Sequence, residues 1–321
     1  MTIQSGLIGI GAGAAAALLF ASVTSGSMLS MLLFYLAPLP ILIAGIGWSH
    51  WAALIAVLSG ALALGAVFGT MFFLAFLAIA GIPAWWLGYL AMLARPAVAA
   101  DGKPGALEWY PPGRLVVWAA LLGALIVLAA VPYFGLDAAS FRASLHAALS
   151  EMLDVKNGGT LPGVSNVDRF LDFMVLAIPA TAAVLTTLTN TVNLWLAAKV
   201  VHVSGRLKRP WPTIPAMSFP RLTVAGLIVA IGLSLFGDMI GIVGSVVSAS
   251  LMLAFGALGF AVLHAITVNN KGRPFMLGVA YASVLVFSWP VLLLCLLGLA
   301  ETLFDLRERI VRRRGPPMLP T

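Results

Sequence analysis

Charge is what this sequence has least of. Only 9% of its 321 residues are Asp, Glu, Lys or Arg, against roughly 25% in soluble domains. From Met1 to Ala94 there is none at all, and His50 is the one histidine in that stretch. With 61% apolar residues, the chain has too little polar surface to cover a water-soluble core. A nucleic-acid-binding domain, a disordered regulator and a cytosolic enzyme are excluded. Cysteine is scarce too: Cys295 stands alone in an apolar run, so neither an intramolecular disulfide nor a thiolate cluster can form. The four histidines are far apart, without carboxylates or cysteine at metal-ligand spacing. The sequence also lacks a His-Glu-x-x-His helix, a Gly-rich phosphate loop ending in Lys-Ser/Thr and a nucleophile elbow. No catalytic residue, cofactor or metal is expected.

Long apolar runs are what the sequence has instead. A span needs about 20 apolar residues, and that ruler places helices near 5–24, 28–47, 50–68, 70–94, 114–134, 170–199, 221–240, 242–268 and 275–304. The expectation is an all-α polytopic bundle of about 8–10 spans. No basic n-region precedes the first run, so it reads as a retained helix rather than a targeting peptide. Pro38, Pro40, Pro83, Pro179 and Pro290 fall inside the runs. Each removes a backbone donor, so these helices should kink or unwind, either at a wet cavity or inside plain packing.

The basic residues orient the chain. Lys and Arg number 18 against 11 acids, and they cluster in short connections, as the positive-inside rule requires. The 95–114 connection carries Arg95, Lys103 and Arg114; the 199–221 connection carries Lys199, Arg206, Lys208, Arg209 and Arg221. Between them, 135–169 has three basic residues against Asp137, Glu151, Asp154 and Asp168. The pattern reads in, out, in, with a cytoplasmic N-terminus in a bacterial inner membrane. A single span over 275–304 would strand Arg307, Arg309, Arg312, Arg313 and Arg314 outside. A bent hairpin broken at Ser288-Trp289-Pro290 repairs this, as would a different span count elsewhere. Four segments result: N-terminal helices over 1–134, an extracytoplasmic loop over 135–169, C-terminal helices over 170–306 and a basic cytoplasmic tail over 307–321.

Two connections have a pattern of their own. Over 137–154, Phe141, Leu145, Leu149 and Met152 share one helical face, the period of an amphipathic helix. It is expected along the outer membrane boundary, with a lid over a binding site as the alternative, and Lys156-Asn157-Gly158-Gly159 ends it with turn chemistry. The 204–220 loop spaces Pro210, Pro212, Pro215 and Pro220 around Trp211, which keeps it extended as a cytoplasmic strap.

Polar groups inside a span are functional candidates. Thr186, Asn190 and Asn193 share a face of the sixth span, as glue to neighbouring helices or as the lining of a substrate path. Glu301 and Asp305 end the last run and read as a solvated, salt-bridged helix end. In the first span Gly9, Gly13, Ala17 and Ala21 recur every fourth residue. That small-residue ridge is a surface for close packing, within the chain or with a partner.

Several short motifs carry a family resemblance: Ala37-Pro38-Leu39-Pro40 leading to Gly45-Ile46-Gly47-Trp48, Gly81-Ile82-Pro83-Ala84 with Arg95, Ser218-Phe219-Pro220-Arg221, Gly259 to His264, and Leu299 to Arg309. On these the chain resembles the YybS-like predicted membrane proteins of bacteria (DUF2232) over most of its length. That family is similar in turn to the substrate-binding components of energy-coupling-factor vitamin transporters and to the rod-shape protein MreD. In those transporters a six-helix subunit binds a micronutrient, and a small-residue ridge on its first helix docks a transmembrane coupling subunit with two ATPases. Gly9, Gly13, Ala17 and Ala21 fit that ridge. This chain has more spans and no recognisable vitamin-binding residues. The resemblance implies a small-molecule transport component that depends on a coupling subunit with ATPases. Its alternative is a non-transporting envelope protein recruiting cell-envelope partners through the strap and the arginine tail. In either case the medium is a lipid bilayer and nucleic acid is no partner.

Overall fold

The computed structural model describes residues 3–98, 104–153, 164–268 and 270–314. In chain order these form α1 (Ile3–Ala21), α2 (Met28–Tyr35), α3 (Pro38–Gly47), α4 (His50–Phe68), α5 (Thr70–Phe76), a π turn over Leu77–Gly81 and α6 (Ile82–Ala91). A hairpin of β1 (Ala94–Val98) and β2 (Pro104–Trp109) follows, then α7 (Pro112–Phe134), α8 (Ala138–Met152) and α9 (Val167–Val203). The chain continues through α10 (Arg221–Ser234), α11 (Met239–Ile266), α12 (Arg273–Phe287), α13 (Pro290–Phe304) and α14 (Leu306–Arg314). The fold is an all-α helical bundle apart from that antiparallel hairpin, which falls within the 95–114 connection.

Among the described residues, seven helical stretches are long and apolar enough to cross a membrane, Ile3–Ser25 to Thr70–Ala91, Pro112–Phe134, Val167–Val203 and Met239–Ile266. The two remaining runs of the nine expected fold as three shorter apolar helices, Arg221–Ser234, Arg273–Phe287 and Pro290–Phe304. The run read as 221–240 stops at Ser234, because Leu235 to Asp238 turn into α11. The run read as 275–304 breaks where expected, with Ser288 at φ 57° and Pro290 opening the next helix. Each half is 15 residues, about 22 Å of helix against roughly 30 Å of hydrocarbon.

The chain divides into two compact units, neither continuous in sequence. The first comprises residues 1–119 and 188–213. Here the prolines act as local helix starts. Pro38 opens α3 after a two-residue turn, and Ser49 caps α4 by accepting the Ala52 amide at 3.2 Å. Gly69, at φ 88°, separates α4 from α5. The π turn before Pro83 takes up the ladder bond that proline cannot make. α3 packs between α4 and α6, with Gly45 against Ala53 and Gly88, and Phe20, Phe34, Phe72 and Phe76 join rings beside it.

The second unit comprises 120–187 and 214–321. Its axis is α11, flanked by α10 and α13. Gly298 rests on the Phe255 carbonyl and Gly259 on the backbone of Leu294. Ala124 of α7, Ala183 of α9 and Val246 of α11 form one core cluster. The end of α13 is not the solvated end that was expected. Glu301 is 7% exposed and accepts from Arg307 at its backbone N (3.0 Å) and Nε (2.7 Å). The same guanidinium donates to the carbonyls of Pro215 and Met217, so a buried, fully engaged ion pair clasps the end of the strap. Asp305, at φ 49°, turns the chain there and meets Arg221 at 3.2 Å on the surface.

Candidate small-molecule site

The amphipathic segment after α7 is folded into the second unit. Gly135, at φ 157°, makes the turn, and a side chain at that position would meet Ser140 and Phe141. Asp137 then caps α8 in a capping box, accepting the amides of Ala139 (3.0 Å) and Ser140 (2.9 Å). These bonds and that to the Ser140 hydroxyl hold the Asp137 carboxyl below the usual aspartate range. The expected apolar face exists, but its direction needs correcting. Phe141 and Leu145 are buried against Val131 of α7 and Val175 of α9, with Leu149, Met239 and Ile242 around them. Only Met152, 83% exposed, is left for a lipid boundary. The residues after Leu153, including Asp154 and the 156–159 turn, lie outside the described residues.

Under α8 lies a cavity of about 390 Å³, within the usual range for small-molecule sites. Two helices present matching faces to it: Asp172, Val175, Leu176 and Pro179 from α9, and Asp238, Gly241, Ile242 and Ser245 from the start of α11. Both follow i, i+3, i+4, i+7, one stripe of an α-helix. Phe141 and Arg142 of α8, with Ser234 and Phe236 from the end of α10, complete the wall. Pro179 has no N–H to give the Val175 carbonyl, and both residues line the cavity. A helix carrying Pro there needs a neighbour, water or ligand to satisfy the freed acceptor.

The polar groups are few and unbalanced. Arg142 donates through Nη2 to the Gly237 carbonyl at 2.9 Å, tying α8 to the turn before α11. Asp238 holds the N-cap position of α11, yet its side chain caps no amide, although that is what an N-cap aspartate ordinarily does. Neither Asp172 nor Asp238 forms an ion pair among the described residues. The cavity therefore offers apolar walls, two free carboxylates and one guanidinium. It suits a small molecule with an ammonium or similar cation, one acceptor and an apolar body.

The residues singled out in the sequence are placed elsewhere. Asn190 and Asn193 are each 2% exposed, within the first unit, and neither cavity described here is lined by them. Asn193 donates through Nδ2 to the Tyr35 carbonyl (2.8 Å) as well as to Thr189 (2.9 Å). Leu39, the residue that would normally bond Tyr35, turns to Leu36 at the Pro38 break. Asn193 thus repairs an acceptor orphaned by proline, which is a packing role. Thr186, in the second unit, gives its hydroxyl to Ala182 one turn back at 2.7 Å. Of the ridge, Gly9, Gly13 and Ala17 are buried and Ala21 is half-buried. Gly9 packs on Ala52 and Ile55, and Gly13 on Ala56 and Ser59. The glycine part of the ridge is thus occupied by α4 of the same chain, leaving no room there for a partner's helix.

Asp172 was the residue sequence reasoning missed. It sits inside a run read as a span, where any carboxylate is a candidate, and it starts the stripe that ends at Pro179. Among the described residues no three His, Cys, Asp or Glu side chains gather as metal ligands.

An all-α bundle with seven membrane-length helices among the described residues defines a multi-pass integral membrane protein. A family model described as a predicted membrane protein, DUF2232, matches residues 14–302, and the chain belongs to that family. Neither the curated proteins nor the solved structures contain a significant match.

Proposed function

We propose that the protein is a small-molecule-binding component of a membrane transport system, taking up its ligand beneath α8. The observation that carries this reading is the pair of carboxylates, Asp172 and Asp238, without an ion-pair partner among the described residues and lining an otherwise apolar cavity beside the proline-bearing helix α9. Proline breaks in spanning helices supply freed carbonyls at transport sites. On the positive-inside assignment the cavity opens to the outer face of a bacterial inner membrane, with both termini in the cytoplasm. The sequence has no phosphate-binding loop of its own, so energy would come from a partner subunit or an ion gradient. Gly9 and Gly13 of the α1 ridge are packed on α4 and so are not open to that partner. Recruitment through the 204–220 strap finds less support, because Arg209 donates to the Ala91 carbonyl at 2.8 Å and Arg307 holds Pro215 and Met217.

The test is thermal stabilisation of the purified full-length protein by a panel of cationic, zwitterionic and anionic metabolites. The reading expects cations or zwitterions to stabilise the wild type and to lose that effect in Asp172→Asn and Asp238→Asn. Stabilisation by anions alone, or equal stabilisation of the variants, would sink it.

A further inference from the structure

The first unit contains a second cavity, of about 250 Å³, whose chemistry is opposite. Its walls include Trp48 at the end of α3, His50 at the start of α4, Tyr89 near the end of α6, Trp109 ending β2, and Lys208 of the strap. It therefore lies where several helices end together, at the level where an apolar bundle meets water. Aromatic side chains collect at that level. The charged side chain that lines it is basic. Lys208 lines the cavity, Arg206 lies 4.6 Å from the Trp48 ring centre and Arg209 5.8 Å from that of Trp109. The neighbouring acid, Glu108, is engaged by Arg95 at 2.8 Å.

An anion with several oxygens seated there would meet Lys208, which supplies the compact charge typical of phosphate sites. Basic pockets between spanning helices on the cytoplasmic side are the places where phosphorylated lipid headgroups bind. We propose that this cavity seats the phosphate of an anionic lipid headgroup, with Lys208 as its counter-ion and the Trp48 and Trp109 rings framing the glycerol end. The site is independent of the one under α8, and its ligand has the opposite charge.

The experiment is a titration of the full-length protein in neutral detergent with phosphatidylglycerol, phosphatidylcholine or glycerol 3-phosphate, read as the thermal midpoint. Phosphatidylglycerol should stabilise it saturably and phosphatidylcholine should not. Lys208→Gln, a change at an exposed side chain, should weaken the apparent affinity about tenfold, the size of one charge-assisted contact. Asp172→Asn should leave it unchanged. If glycerol 3-phosphate acts as well as the lipid, the phosphate site stands and its source is a soluble phosphoester. Equal effects of the two lipids, or unchanged phosphatidylglycerol binding in Lys208→Gln, would overturn the proposal.

Discussion

Alanine placed in turn at Gly6, Gly9, Gly11 and Gly13 of α1 should give stability changes of opposite sign within one short stretch of helix. In a helix interior Ala is favoured over Gly by about 0.8–1 kcal/mol. At Gly6 and Gly11 nothing lies within 4 Å of the added carbon, so that gain should appear nearly whole. At Gly9 the new methyl would come 2.7 Å from the Ala52 carbonyl oxygen and 2.8 Å from Ile55. At Gly13 it would meet the Ser59 hydroxyl and the Ala56 backbone, whose Cα is 3.1 Å away. Backbone atoms of α4 cannot rotate aside, so the helices must part and lose contact along the seam. Overpacking of this kind costs roughly 1–3 kcal/mol, which outweighs the propensity gain. Gly9→Ala and Gly13→Ala should therefore destabilise by up to about 2 kcal/mol net, Gly13→Ala the more. The assay is the thermal midpoint of each variant in one mild detergent, alongside circular dichroism to confirm helicity. Equal shifts at all four positions, or stabilisation by Gly13→Ala, would refute the account of the ridge as the α1–α4 seam.

Other consequences follow from the same contacts. Glu301→Ala strands the Arg307 guanidinium among carbonyls and should cost about 3–5 kcal/mol; a midpoint within a degree of the wild type would contradict the clasp. Asn193→Ala removes the donor to the Tyr35 carbonyl and should cost roughly 1–3 kcal/mol, while Thr186→Ala, whose hydroxyl bonds only its own helix among the described residues, should be close to neutral. Asp137 has its pKa held down in the folded state by Ser140 and Ala139, so its contribution is present above the ordinary aspartate pKa and lost as pH falls through the lowered value. Hydrogen exchange of α8 should accelerate selectively in that acidic window, and Asp137→Ala should abolish the pH dependence.

Much of the bundle was readable because span length and turn chemistry act locally. Met28–Gly47 and His50–Phe68 coincide with the runs read from composition, and Ser49 and Gly69 mark their edges. Ser288-Trp289-Pro290 breaks the run at the place that the loop charges offered as one of two repairs. The end of α10 was not readable, since Leu235 and Phe236 are as apolar as a span and only the tertiary turn before Asp238 ends it. The hairpin was hidden because its strands are short and proline-bearing. As for the candidate site, the period of α8 was plain, but not what its face covers. Phe141 could equally have entered lipid until α7, α9 and α11 supplied its contacts. Asp172 and Asp238 come from different helices, and only the fold shows that their stripes face one cavity. The small-residue ridge was found, and what occupies it is a long-range contact that spacing alone does not specify.

The most direct test of the central claim is a comparison of the small molecules that co-purify with the wild-type protein and with an Asp172→Asn/Asp238→Asn double variant, by mass spectrometry after denaturation. The account predicts a cationic or zwitterionic compound of small size, enriched with the wild type and lost from a variant that remains folded. The same profile from both proteins would contradict it.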